Sequence, residues 1–200
     1  NKVVALTRNP AKPPHSTIRH VYGTFSTPAD FAPLLSDCRA VVHLASNSTP
    51  GSSAGRPLQE LEHNLRITLS LLEALQSAPH CNLLFISSGG TLYGDKTVTP
   101  ATESSTITPL SYHGAGKAAA EHFISAWAQQ FSRSATILRP SNVYGPRQTA
   151  RQGFGIIPTA FAKIMKDDAL EIWGDGNAVR DYLYIDDLVQ LCIAILDTPM

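Results

Sequence analysis

Charge is scarce in this sequence, and it is balanced. Among 200 residues, 16 Lys and Arg stand against 16 Asp and Glu, for a formal net charge of zero. A chain with no basic excess has no electrostatic support for binding nucleic acid or an acidic membrane surface. Cysteine is scarcer still: Cys38, Cys81 and Cys192 are odd in number, scattered, and without metal-ligand spacing. That argues against a disulfide framework and fits reduced thiols in a cytoplasm. No apolar run is long enough to span a bilayer, and no signal-peptide pattern is visible. No glycine-rich turn precedes a helix in the first half, and no Met opens the chain. What is present is ordinary for a globular domain: 43% hydrophobic and 16% charged residues, and length enough for a sizeable core.

The most informative stretch is Ser111-Tyr112-His113-Gly114-Ala115-Gly116-Lys117 and the helix it opens. Ala119, Ala120, Phe123, Ile124, Trp127 and Phe131 recur at three- and four-residue steps, the apolar stripe of an amphipathic helix. Ser111 is placed to act as its N-cap. His113 and Lys117 are four apart and share one helix face. A lysine beside an ionisable ring favours the ring's deprotonated form and prepares a proton acceptor. The alternative is a first-turn histidine and a solvated lysine paired with Glu121.

Other elements follow from periodicity and punctuation. Val3 to Leu6 reads as a strand, and Asn9 to Thr27, rich in Pro and His, as loop. Pro28 to Leu35 suggests a short helix before the strand Ala40 to Leu44, in which His43 reads as structural. Gly51 to Gly55 is a flexible Ser/Gly loop. Leu58, Leu61, Leu65, Leu69 and Leu72 mark a long amphipathic helix. Leu83 to Ile86 is a continuous apolar run, as expected of a strand buried on both faces. Ala135 to Leu138 gives another strand. Gly153 to Lys166 reads as loop then helix, with Ile157, Phe161 and Ile164 on one face; Leu170 to Trp173 reads as a short strand, and a further strand and a helix near Asp187 follow Arg180.

Four segments stand out in order. They are Ser87-Ser88-Gly89-Gly90-Thr91-Leu92-Tyr93-Gly94 after one strand, the Ser111 to Lys117 stretch, Arg139-Pro140-Ser141-Asn142-Val143-Tyr144-Gly145-Pro146-Arg147 after the next strand, and Val179-Arg180-Asp181-Tyr182 with Asp186-Asp187 beyond it. At these spacings the set resembles the extended short-chain dehydrogenase/reductase family, and within it the nucleotide-sugar epimerases and dehydratases of the UDP-glucose 4-epimerase kind. The resemblance covers nearly the whole chain.

That resemblance implies an α/β fold, a doubly wound parallel, Rossmann-like sheet, with residues 1–200 a partial NAD(P)-binding domain. The missing Met and glycine loop then suggest a fragment lacking the first strand, glycine turn and first helix. The start of a substrate-binding portion is expected from about 147–180. The cofactor would be NAD or NADP. Arg8, at the tip of the first strand, tilts weakly toward NADP, against a solvated loop arginine. Ala45 and Ser46 match a small-residue turn beside the cofactor, and Asn64 an asparagine facing it. Ser87, Lys117 and Ser141 are further cofactor contacts by resemblance. Asn142 and Arg180 would hold the diphosphate of a nucleoside-diphosphate sugar, and Arg147 would meet phosphate or simply a surface acid. A homodimer packed through the helices near Leu58 and Tyr112 is expected, as is a cytoplasmic location.

The sequence departs from the family at two places. Gly89 stands where relatives carry the catalytic Ser or Thr, leaving Ser88 or Thr91 to assist. The Asp-Glu pair of the dehydratases would fall on Gly90-Thr91, so epimerisation or reduction ranks above dehydration. Where relatives read Tyr-x-x-x-Lys, this chain reads His113 before Lys117, with Tyr112 one place early and rotated by about 100°. Three readings stand: His113 is the base; Tyr112 reaches the site through a distorted helix start; or the chemistry is lost and the protein is a nucleotide-binding sensor.

Overall fold

The structure, a computed structural model, describes residues 2–8, 17–95, 100–150, 155–172 and 174–198. All its strand pairs are parallel. β1 (Val3–Thr7) pairs with β2 (Ile18–Tyr22). β3 (Ala40–His43), β4 (Asn82–Ile86) and β5 (Ala135–Leu138) form a second ladder with β4 in the middle. β6 (Asn142–Tyr144) and β7 (Tyr182–Tyr184) form a third. Parallel neighbours need crossovers, and in the β3–β4–β5 and β6–β7 ladders helices supply them. α1 (Pro28–Leu35) precedes β3. α2 (Pro57–Glu60), a π-helical turn (Leu61–Leu65) and α3 (Arg66–Leu75) join β3 to β4. α4 (Gly89–Leu92) and α5 (Tyr112–Gln130) join β4 to β5. α6 (Ile156–Ile164) lies between β6 and β7, and α7 (Ile185–Asp197) follows β7. This is the doubly wound, Rossmann-like α/β arrangement.

The core gathers on β4. Leu83 and Phe85 join one cluster with Phe31 and Leu35 of α1, Leu71 and Leu75 of α3, and Ile124 and Trp127 of α5. Leu84 lies between them in sequence, points to the other face and is fully buried as well. The continuous apolar run therefore marks a strand covered on both sides. α1 is held by a capping box, in which Asp30 accepts from the backbone and hydroxyl of Thr27. Among the described residues no helix is long and apolar enough to cross a membrane.

Several local expectations are corrected. β2 lies inside the stretch read as loop; strand pairing with β1 outweighs its polar composition. Residues 9–16 of that stretch lie outside the described residues. The Ser/Gly segment 51–55 is a hydrogen-bonded turn: Ser52 and Thr49 bond each other, and Ser53 is buried. Leu58 and Leu61 do not continue the core-facing stripe of the half-buried Leu69 and the buried Leu72. They are 74% and 42% exposed, because the π turn adds a residue and rotates the face. Glu60 is buried in their place. On α5, Ala120, Ile124 and Trp127 are buried, but Phe123 and Phe131 are exposed. On α6, Phe161 and Ile164 are exposed, so the expected apolar face meets solvent. Leu170–Ile172 is not a strand, having no ladder partner; Trp173 and Gly153 lie outside the described residues.

Candidate functional site

The C-terminal end of β4 and the first turns of α5 bring the sequence-marked residues together. Ser111 caps α5 by accepting from the Gly114 N–H at 3.1 Å. The helix start is regular and Tyr112 is 45% exposed, so the distortion that Tyr112 would need is not present. His113 is buried. Its backbone N–H donates to the Ser53 hydroxyl at 3.2 Å, and its ring Nδ1 lies 2.8 Å from the Ser48 hydroxyl. Burial pushes the imidazole's pKa below its usual value; Lys117 adds to this, and Glu60 opposes it.

Lys117 reaches under β4. Its Nζ donates to the Ile86 carbonyl at 2.8 Å and stands 4.7 Å from the centre of the Phe85 ring. Burial lowers its pKa to about 8, against the pull of Glu60 and Glu121. Glu121 does not pair with Lys117. It is buried and takes a forked ion pair from Arg139, with Nη2 to Oε2 at 2.6 Å, which ties α5 to the end of β5. Arg139 also donates to the Tyr93 hydroxyl at 2.9 Å.

Hydroxyls crowd the end of β4. The Ser87 and Thr91 hydroxyl oxygens are buried with no hydrogen-bond partner among the described residues. Ser88 is the N-terminal flanking residue of α4, without a capping bond. Gly89 lies against the chain after β5: its N–H donates to the Pro140 carbonyl at 2.8 Å, and a Cβ there would meet the Arg139 carbonyl oxygen at 2.7 Å. A serine at 89 would have to move backbone.

Asn64 sits in the π turn with its amide fully engaged. Oδ1 accepts from the Asn47 N–H at 2.7 Å, while Nδ2 donates to Ser48 at 2.8 Å and to Glu60 Oε1 at 2.9 Å. π turns are frequent at functional sites. Ala45 and Ser46 follow β3, exposed, and Ala45 lines a small pocket with Asn64, Glu60 and Lys117. His43 is buried, 2.9 Å from the Thr68 hydroxyl and tilted against Phe85.

The remaining candidates are farther along the chain. Asn142 opens β6, and its Nδ2 donates to the Asp181 carbonyl at 2.9 Å, which joins the third motif to the fourth. Arg180 is exposed; its guanidinium donates to its own neighbour, the Val179 carbonyl, and not to Asp181. Arg147 is exposed at a φ of 71°, Ser141 is half-buried after β5, and Arg8 is exposed after β1.

Sequence reasoning missed Glu60 and Ser48. Glu60 is 5% exposed and donates nothing; it accepts from Asn64 and from Ser48. The available signal was an acid four residues before Asn64, on the same helical face.

Comparison with known proteins accords with the four motifs. The UDP-glucose 4-epimerase of Mycolicibacterium smegmatis is 30% identical over 164 residues, which are 81% of this chain and 52% of that protein. The dTDP-4-dehydro-6-deoxyglucose reductase of Escherichia coli is 31% identical over 159 residues, 80% of this chain and 50% of that protein. The crystal structure of Thermus thermophilus UDP-glucose 4-epimerase in complex with NAD superposes with a TM-score of 0.88 at 26% identity, over 98% of this chain and 67% of that one. The chain spans about half the length of the curated relatives it matches. The model of the NAD dependent epimerase/dehydratase family matches residues 1–200, the full run that holds all four motifs, and the chain belongs to that family.

Proposed function

We propose that this chain is the dinucleotide-binding part of an NAD(P)-dependent nucleotide-sugar epimerase, or a related oxidoreductase, acting on a nucleoside-diphosphate sugar. The observation that carries the reading is the pairing of a buried, pKa-lowered His113 with Lys117 one turn away, beneath a strand end lined by hydroxyls without partners. A bound nicotinamide supplies hydride acceptance and return. The residues present suit such a group. Lys117 has three N–H donors, of which the Ile86 carbonyl takes one, leaving two for a ribose diol. Ser87 and Thr91 offer buried hydroxyls that need a partner.

In this reading His113 accepts the proton of a sugar hydroxyl as hydride leaves the same carbon, and Lys117 keeps the imidazole neutral beforehand. Ser88 or Thr91 assists from the β4 end. Arg8, Ala45, Ser46, Asn64 and Ser141 border the cofactor. Asn142, just before the portion that begins the substrate side at about 147–180, and Arg147 and Arg180 at its two ends hold the diphosphate; the Arg180 fork is exposed and, among the described residues, bonded only to the neighbouring Val179 carbonyl. A homodimer is supported by Leu58, Leu61, Tyr112 and Phe123, large apolar side chains exposed on α2, the π turn and α5. The three free thiols suit a reducing cytoplasm.

A second reading rests on Gly89. A Cβ there would collide with the Arg139 carbonyl, so the family hydroxyl cannot simply be restored, as in a nucleotide-binding sensor that has dropped its chemistry. Turnover separates the two. The intact protein is given NAD or NADP and a panel of UDP-, GDP- and dTDP-sugars, and sugar products are followed. Product from any of them supports the enzyme; tight cofactor binding with no product from any favours the sensor.

A further inference from the structure

Glu60 is a buried carboxylate two hydrogen bonds from the His113 ring, and its proton connections can be worked out from donor and acceptor types. Three groups converge on the Ser48 hydroxyl: Glu60 Oε2, Asn64 Nδ2 at 2.8 Å and His113 Nδ1 at 2.8 Å. The Asn64 amide can face only one way. Its Oδ1 accepts from the Asn47 N–H, so the group facing Ser48 is the NH2, a donor. An ionised carboxylate only accepts. The single Ser48 proton therefore goes to Glu60, and the hydroxyl accepts from Asn64. One lone pair remains, and it requires a donor on His113 Nδ1. The neutral imidazole is thus the Nδ1–H tautomer, with the lone pair on Nε2, which has no hydrogen bond among the described residues.

We propose that Glu60, acting through Ser48, is the positioning residue for His113: it fixes the ring as the Nδ1–H tautomer, presents Nε2 as the proton acceptor, and compensates the imidazolium that forms. This rests on His113 being the base. The step needs no further proton movement. The substrate hydroxyl loses its proton to Nε2, the Nδ1–H to Ser48 and Ser48–H to Glu60 bonds stay in place, and the new positive charge faces the Glu60 carboxylate. The logic is that of an acid–histidine pair, with a hydroxyl inserted between acid and ring. The charged neighbours are accounted for. Glu60 favours the protonated ring and Lys117 opposes it. Arg56 and His63 line a pocket of about 90 Å3 with Glu60, Ser48 and Asn64. The seat is built for the acid, since Gly116 on α5 has no Cβ where Glu60 Oε1 packs.

The test reads the ring directly. The intact protein is labelled with 15N-histidine, and the His113 signals are assigned by their loss in His113→Ala. The relay requires an Nδ1–H tautomer. Ser48→Ala, a loop change that leaves α2 untouched, should move the ring toward Nε2–H, and Ser48→Thr should restore Nδ1–H. Glu60→Gln has an amide that cannot accept from both Asn64 and Ser48, so it should turn the Ser48 proton toward His113, shift the ring to Nε2–H and lower its proton affinity about tenfold. With a turned-over sugar, Ser48→Ala should cut kcat about 100-fold with KM little changed. An Nε2–H ring in the parent protein, or a midpoint indifferent to Glu60→Gln, overturns the relay even if His113 proves essential. Turnover that survives His113→Ala sinks the base reading on its own, whatever the ring shows.

Discussion

A Cβ on Gly116 would stand 2.7 Å from Oε1 and 3.0 Å from Cγ of Glu60. The helix that carries Lys117 thus leaves a gap one side chain wide, and a carboxylate fills it. Glu60 cannot swing aside freely, because Asn64 and Ser48 both donate to it.

Gly116→Ala therefore sets two effects against each other. Alanine gains about 1 kcal/mol over glycine within a helix. Crowding a packed site costs about 1–3 kcal/mol, and more if the Glu60 bonds break. The expected result is a net loss of stability in denaturant unfolding, with turnover reduced as Glu60 is displaced. A more stable and equally active variant would mean that Glu60 is not held there.

Arg139 and Glu121 form the second buried acid contact of α5. Removing one partner strands a charge that is 5% exposed on its side chain. Arg139→Ala should cost about 3–5 kcal/mol. The double change Glu121→Leu with Arg139→Met should recover most of that, since a desolvated pair contributes little beyond its apolar replacement. Urea unfolding of the parent, the single variant and the double variant decides; a single variant as stable as the parent contradicts a desolvated pair.

Much of the fold could be read locally. α1 begins at Pro28 because a Thr27–Asp30 capping box and an N-terminal proline mark its start. Ser111 as cap and the apolar run of β4 were equally plain. What escaped depends on partners distant in sequence. β2 is a strand only because β1 lies beside it, and β6 is three residues long and exists through β7. The π turn at Leu61–Leu65 carries no signature in leucine spacing, yet it decides that Leu58 faces solvent and Glu60 the site. In the same way, His113 and Lys117 were visible as a helical pair. The Ser48 and Glu60 side chains behind the ring come from segments 65 and 53 positions away and became visible only in the fold.

His43 makes stability pH-dependent. Burial, with Lys117 adding, holds its pKa at about 4 in the folded protein, below the usual value of 6.5. Between those values the unfolded chain binds more protons, so stability rises with pH there and falls as pH drops from 6.5 toward 4. The slope from this one group is at most about 1.4 kcal/mol per pH unit. Unfolding measured across the window, with His43→Leu alongside, should show the slope flattened in the variant.

Lys117 sets an upper limit on pH. With its pKa lowered to about 8, the cation is present below that value and lost above it. Cofactor affinity should therefore weaken above about pH 8, and Lys117→Met should be weak throughout and flat across the same range. For stability the sign is opposite. Between 8 and 10.5 the unfolded chain holds the extra proton, so this group's contribution rises with pH. Titration of NAD binding by fluorescence checks the first statement; affinity unchanged through pH 9 would place the Lys117 ammonium outside the cofactor site.

The central claim is that His113 stands in for the family's tyrosine as proton acceptor. The most direct measurement is turnover of a nucleotide-sugar panel by the intact protein, its His113→Ala variant and its Tyr112→Phe variant, all checked for cofactor binding. The account predicts that His113→Ala still binds cofactor but loses about 100-fold or more in kcat, while Tyr112→Phe stays close to the parent. Turnover kept in His113→Ala and lost in Tyr112→Phe would contradict it and return the role to the tyrosine one residue earlier.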